Sequence, residues 1–323
     1  MATITTVIPV YNGEKYISET LESLARQTRK PDRVVVVDDG SKDRTEEIVR
    51  NFSGIKCDWA PNPINLGLFA NHNSALRFCA ETKYFHLLHA DDTLSPTFFE
   101  TLAPMIENAP GFAMAFCGYV VMEENGTSTS RKNVPPTNRP RQFSLREFLR
   151  MQSELKAIGL HSVILKTDFK ASPVQFPLDY PQLGDVVFHA QFAAHCSEIW
   201  GTPEILCQWR SHGAAATTRN MMSLQAFVKD EWRAMQLANR LLRGRGLGSS
   251  LHEQKIKLLF AARARVKSQM VKKANATYAR EIADEAKKTT SQLHWAAASA
   301  VVKLRDLFAP KGEGGDSARL KAG

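Results

Sequence analysis

Four consecutive valines, Val34 to Val37, run directly into two carboxylates, Asp38 and Asp39, and then into Gly40-Ser41. The run is β-branched throughout and apolar at both parities, so a strand made from it has no face it can give to water. That pattern belongs to a parallel sheet covered by helices on both sides. In such sheets ligands collect outside the carboxyl ends of the strands, which is where these acids stand. A second stretch repeats the arrangement: Phe85, Leu87 and Leu88 read as a core strand that ends in Asp91 and Asp92. Ser95-Pro96 then reads as an N-cap followed by proline at the first helical position. On this stretch alone, a capping Asp beside a solvated one is the plain alternative.

The rest of the first 122 residues alternates in the same way. A strand is expected at Thr3–Asn12, followed by a helix carrying Ile17, Leu21 and Leu24 at helical spacing. Further helices are expected at Lys42–Phe52, Phe69–Cys79 and Pro96–Glu107, and a strand at Phe112–Met122. The expected fold class is therefore α/β, a mostly parallel sheet flanked by helices. Glu123 to Gln142, rich in Thr, Ser, Asn and Pro, reads as a long loop of functional or mobile character. With 323 residues, 43% of them hydrophobic, the chain can bury a full core. It holds no apolar run of the length a membrane span needs, and its first residues lack the signal-peptide pattern, so a cytoplasmic protein is expected. Five scattered cysteines without a C-x-x-C pair point to reduced, packing thiols.

Charge divides the chain. Residues 1–220 carry 22 Lys+Arg against 24 Asp+Glu, whereas residues 221–323 carry 20 against 9. The expected organisation is a catalytic-looking domain over 1–220 and a basic helical region over 221–323, with a disordered end from about 310.

Five segments carry a family resemblance: "VIPVYN" on the first strand, "VVVDDGSKD" on the second, "NLGLFANHNSAL", "HADD", and "RSHG" at Arg210–Gly213. In that order and spacing the chain resembles the glycosyltransferase family 2 enzymes of the GT-A (Rossmann-like) fold, over roughly residues 3–215. The resemblance implies an inverting, divalent-metal-dependent transfer of a sugar from a nucleotide diphosphate donor. A UDP-sugar is the first expectation, and dTDP- or GDP-sugars are the alternatives. A hard cation bridging carboxylate and phosphate oxygens would reconcile the acids with an anionic donor and neutralise the departing nucleoside diphosphate.

Residue by residue, the resemblance makes Asp91 the last acid of the DXD motif and a metal ligand, with Asp92 supporting metal or ribose. His212 matches the C-terminal histidine that completes the metal site. The first DXD acid is replaced by His89, a better ligand for Mn²⁺ than for Mg²⁺ or else a hydrogen-bonded wall residue. Pro9, Tyr11 and Asp39 fall at the nucleoside positions, where Tyr11 can pack on the base and Asp39 can accept from a pyrimidine N–H. Asp38 is expected to hold the turn before Gly40-Ser41. His72 stands where many relatives carry arginine. Asp185 matches the catalytic base, with Gly184 in place of the usual preceding glutamate; Asp179 is the competing base, and a helix cap is the structural alternative for Asp185.

The acceptor implied by the resemblance is a glycan hydroxyl, free or lipid-linked, in bacterial cell-envelope polysaccharide synthesis. A nucleotidyltransferase is disfavoured because "VIPVYNGEK" lacks a glycine-rich phosphate loop. Nucleic-acid binding is disfavoured by the lack of interleaved aromatics in the basic region. A non-catalytic relative serving as a membrane or partner-binding scaffold is the alternative, and a homo-oligomer is compatible with the sequence. In 291–308, Leu293, Ala297, Ala300, Val301, Leu304, Leu307 and Phe308 share one helical face. With the basic stretch upstream, residues 255–308 could lie on an anionic membrane at its inner face or pack that stripe against protein.

Overall fold

The computed structural model describes residues 3–156, 158–213 and 220–308; the end expected to be disordered from about 310 lies outside them. One sheet runs through the molecule in the order β3-β2-β1-β4-β9-β6-β10-β5. The strands are β1 Ile4–Val10, β2 Arg33–Asp38, β3 Cys57–Pro61, β4 Tyr84–Leu87, β5 Thr93–Leu94, β6 Ala113–Glu123, β7 Ser128–Asn133, β8 Arg141–Gln142, β9 Val163–Lys166 and β10 Glu198–Ser211. β3, β2, β1 and β4 are parallel neighbours, and β6 and β10 are parallel to each other. β9 inserts antiparallel between β4 and β6, and β5 is antiparallel to β10. The sheet is therefore mixed: the expected parallel arrangement holds in β3-β2-β1-β4 and in β6-β10, and antiparallel pairings of β5, β7, β8 and β9 complete it.

The valine run explains the layering. Val34 and Val36 enter one apolar cluster with Ile17, Leu21 and Leu24 of α1 (Ile17–Ala25). Val35 and Val37 enter the opposite one with Phe69, Ala75 and Leu76 of α3 (Leu68–Leu76). Alternate residues of a strand face opposite sides, so a continuous apolar run needs a helical layer on each. The remaining helices are α2 Thr45–Asn51, α4 Phe98–Leu102, α5 Leu145–Ser153, α6 Gly184–Ala193, α7 Asp230–Gly244, α8 Ser250–Val271, α9 Ala276–Thr289 and α10 Gln292–Phe308. α5 begins with a capping box, in which the Ser144 hydroxyl accepts from the Glu147 N–H and the Glu147 carboxylate accepts from the Ser144 N–H.

Two local expectations are corrected. The stretch read as a loop, Glu123 to Gln142, contains β7, which folds back antiparallel on β6 through a turn with Gly126 at φ +89°. Asn125-Gly126 is a hairpin signal that the polar composition masked. Ser95-Pro96 does not start a helix: β5 occupies the preceding residues, Ser95 N–H donates to Leu206 O, and α4 begins only at Phe98 with Thr97 at its cap.

The basic region is all helical where described. α7 shares apolar clusters with the first 220 residues, Ala238 and Leu242 against Leu149 and Ala190, and Ala234 against Tyr180 and Val187. α8 and α9 form a further cluster around Ile256, Phe260, Tyr278 and Ile282. The change in charge near residue 220 is thus not a gap in packing.

Candidate functional site

The carboxyl ends of β1, β2 and β4, parallel neighbours, lie at one edge of the sheet, and β10 brings its own end to them. The antiparallel register Cys207↔Leu94 and Gln208↔Thr93 continues outward, which sets Arg210 and His212 beside Asp91 and Asp92, about 120 residues away in sequence. His212 Nε2 lies 2.8 Å from Asp91 Oδ2. Its ring packs on Tyr16 with centroids 4.9 Å apart. The Asp91 side chain is 31% exposed and that of His212 10%, so the pair stands at a partly open edge of the fold.

Asp92 is different: its side chain has no exposed surface. Oδ1 accepts from the Arg210 backbone N–H at 2.8 Å, and Oδ2 accepts from His89 Nδ1 at 3.1 Å. His161, carried by a short 3₁₀ turn at Leu160–Ser162, sets its Nδ1 3.0 Å from the same Oδ2. Burial pushes the Asp92 pKa up, but the two imidazoles outweigh it and hold the carboxyl well below the usual range. Burial pulls His89 down, yet the hydrogen bond and charge of Asp92, with Asp91 and Asp185, hold it at about 9. His89, Asp92 and His161 bring three ligand-type atoms within 4.8 Å of one another. Asp92 therefore closes an internal ion-pair cluster, whereas Asp91 keeps an outward oxygen.

Asp185 lies in the first turn of α6. Its Oδ1 accepts from the Val186 N–H at 2.8 Å, a local bond that leaves Oδ2 available. Burial raises its pKa, against the Val186 bond and the His89 and His161 charges. The competing acid, Asp179, is 71% exposed and ion-paired with Arg233 of α7, away from this cluster. Gly184 has a steric reason: a Cβ there would stand 2.7 Å from the Phe69 ring, which is itself stacked on Phe176.

Of the residues expected at the nucleoside, Tyr11 is 52% exposed, and Pro9 is buried within β1 opposite Val37. Asp38 accepts from the N–H groups of Gly40 and Ser41 and so holds the turn. Asp39 is 2% exposed and takes three donors, Asn62 Nδ2 and the backbone N–H groups of Leu66 and Gly67. It anchors the 62–67 loop and has about one of its roughly four acceptor positions left. His72 is buried, with Nδ1 2.6 Å from Leu68 O, and burial drives its pKa down to about 3. It stands as a neutral wall group against Phe176 and His89, not as a substitute cation.

Sequence reasoning passed over two residues. Arg210 is 1% exposed; its guanidinium donates to Asp91 O, Glu124 O and the Glu19 carboxylate, over the Tyr16 ring. It stands two residues before His212, a spacing that puts both side chains on one side of an extended chain. His161 carried no signal of its own, because its neighbours come from β4, the loop after it, β6 and β10.

The family model for Glycosyl transferase family 2 matches residues 5–171. An uncharacterized glycosyltransferase of Haemophilus influenzae is 27% identical over 218 residues, 65% of this chain and 66% of that protein. One of Rickettsia typhi is 30% identical over 131 residues, and there the match spans 39% of each chain. Among solved structures, S. aureus TarS 1-349 in complex with UDP-GlcNAc superposes with a TM-score of 0.55 at 16% identity, over 94% of this chain and 92% of that one. The mannosyltransferase PcManGT from Pyrobaculum calidifontis, in complex with GDP-Man and Mn²⁺, gives 0.52 at 16% identity, over 95% and 87%. At these identities the structural likeness concerns the fold.

Proposed function

Because the chain belongs to glycosyltransferase family 2, we propose that it moves a sugar, with inversion, from a nucleotide diphosphate donor to a hydroxyl of a glycan acceptor. The observation that carries this reading is the approach of Asp91 Oδ2 and His212 Nε2 to 2.8 Å, together with a half-buried Asp185 whose pKa is raised by desolvation and which lies near enough to His89 to feel its charge. The pair fits a divalent ion: one carboxylate oxygen and one imidazole nitrogen, close enough to share a cation, on a partly exposed site. The mixed donor set favours Mn²⁺ over Mg²⁺. Bound there, the ion would stabilise the charge that develops on the departing nucleoside diphosphate.

The protein's own groups account for the rest. The free oxygen of Asp185 takes the proton of the acceptor hydroxyl as that hydroxyl attacks the anomeric carbon from the face opposite the leaving group. A carboxyl raised by burial is a stronger base than a solvated one. Tyr11 supplies an exposed aromatic face for the base, with Pro9 beneath, and Asp39 holds the loop that borders it. His89, anchored through Nδ1, presents the rest of a cationic ring toward the donor side, while His72 closes the wall behind it.

The donor is expected to be a UDP-sugar, with GDP- and dTDP-sugars as the alternatives; the TarS and PcManGT structures are complexes with UDP-GlcNAc and with GDP-Man. The acceptor is expected to be a growing cell-envelope polysaccharide on a lipid carrier, reached by peripheral contact at the inner membrane face. Among the described residues no helix is long and apolar enough to cross a membrane. A donor-hydrolysis screen of UDP-, GDP- and dTDP-sugars with Mn²⁺ or Mg²⁺ tests the reading. Turnover of one nucleotide class, dependent on the ion, supports it; no turnover of any sugar nucleotide, with or without glycan acceptors, would overturn it.

A further inference from the structure

The two most exposed large apolar side chains among the described residues, Leu251 at 80% and Leu293 at 77%, line the same groove. They come from different helices, α8 and α10, and enclose with Leu258 and Ala297 a depression of about 650 Å³. α10 packs on α8 through its other face, where Ala298 and Val302 meet Ala261 and Ala262. Arg265 lies over the Trp295 ring at 4.9 Å and donates to Trp295 O. The stripe read from the sequence thus points outward in its described part, with Leu293, Ala297 and Ala300 all exposed.

Arg150, at the end of α5, lines the same groove. Its Nε is buried without a hydrogen bond, and its guanidinium has no ion-pair partner among the described residues. The nearby Glu154 carboxylate is already neutralised, with Lys255 at 2.5 Å and Lys156 at 3.1 Å. An uncompensated guanidinium at the wall of an apolar groove asks for a ligand with a phosphate at one end and hydrocarbon at the other.

We propose that this groove is the face by which the protein docks on a membrane, taking the phosphate of an anionic phospholipid on Arg150 and its chain along Leu251 and Leu293. The 20 Lys+Arg against 9 Asp+Glu of residues 221–323 give the whole region the charge that an anionic leaflet attracts. The proposal rests on the reading of the acceptor as lipid-linked and names the surface that reading lacked. It also makes the groove side of α8 and α10 the side that lies in the interface plane.

Co-sedimentation of the full chain with vesicles tests it, comparing phosphatidylglycerol–phosphatidylcholine mixtures with phosphatidylcholine alone. Wild type should pellet with the anionic vesicles at low salt and be released at high salt. L251E/L293E, at two exposed positions that leave the thermal melt unchanged, should lower vesicle affinity by about tenfold or more. R150Q should lower it by about fivefold. Wild type remaining in the supernatant at low salt, or L251E/L293E binding as wild type does, overturns the proposal. So does light scattering that shows a wild-type dimer dissociated by L251E/L293E, which would make the groove a protein interface. Donor hydrolysis without vesicles is measured in parallel and should be equal in all three proteins. Failure of the transferase reading would show in that arm, and failure of the docking surface in the vesicle arm.

Discussion

Arg210 and Asp92 are joined by a hydrogen bond from the Arg210 backbone N–H to Asp92 Oδ1 at 2.8 Å, while the Arg210 guanidinium donates to the carbonyl of the adjacent Asp91 at 3.0 Å. One residue therefore fastens the loop after β4 to the end of β10, and with it the separation of Asp91 from His212. Arg210→Lys keeps the charge but not the planar fork that serves Asp91, Glu124 and Glu19 together. Mn²⁺ affinity, followed by the loss of the free-ion electron paramagnetic resonance signal, should drop about tenfold, in line with the effect of groups that orient metal ligands. Unchanged Mn²⁺ affinity with only a lower melting temperature would reduce Arg210 to a packing role.

Asp91 has a partly exposed carboxylate whose hydrogen-bond partner is His212, so Asp91→Asn should leave the fold intact. Turnover should vanish in this variant, and equally in wild type treated with excess chelator, with restoration by Mn²⁺ in wild type alone. Full turnover in chelator would remove the metal from the reaction.

Asp185 as base predicts a particular pH profile. A base works while deprotonated, and burial raises this carboxyl above the ordinary value of 3.8. The rate should therefore fall as pH is lowered through a value above 3.8 and hold steady above it. Asp185→Asn should lose that acid limb and about 10²-fold or more in rate. Donor affinity should change little. Parallel losses in donor affinity and rate would mark Asp185 as a cap for α6.

Gly184 occupies a position where a side chain has no room. Gly184→Ala places a Cβ against the Phe69 ring, whose retreat is blocked by Phe176, and overpacking of this kind costs about 1–3 kcal/mol. A melting temperature several degrees lower is expected, and an unchanged melt would mean that the Phe69 side chain yields freely. Gly184→Glu, which restores the more usual residue, should fare worse still.

The sequence by itself settled the layers and the placing of acids at the strand ends. Val34 to Val37 admit only a strand covered on both faces, and the family pattern singles out Asp91, Asp185 and His212 as candidates, because strand period, helix period and short motifs are local properties. It misread what depends on a neighbour. Asn125-Gly126 makes a hairpin because β6 offers β7 an edge to pair with, and Ser95 stays outside the helix because the pairing of β5 with β10, continued by the Ser95 N–H to Leu206 O, holds it in extended chain while α4 starts at Phe98.

The site divides along the same line. Asp91 and Asp92 are adjacent and chemically identical, yet one is 31% exposed and the other has no exposed surface. That difference arises from His89, three residues earlier in the same loop, and from Arg210 and His161, which two distant segments bring to Asp92. Likewise Asp39 spends most of its acceptor capacity on the 62–67 loop, and burial strips His72 of the charge its position suggests. In the basic region the apolar stripe was legible, but which side of α10 meets α8 was not, since one helix offers two apolar faces there and only packing against Ala261 and Ala262 chooses between them. Residue type sets what a group can do; the desolvation and partners that decide whether it does so come from chain segments that only the tertiary fold brings together.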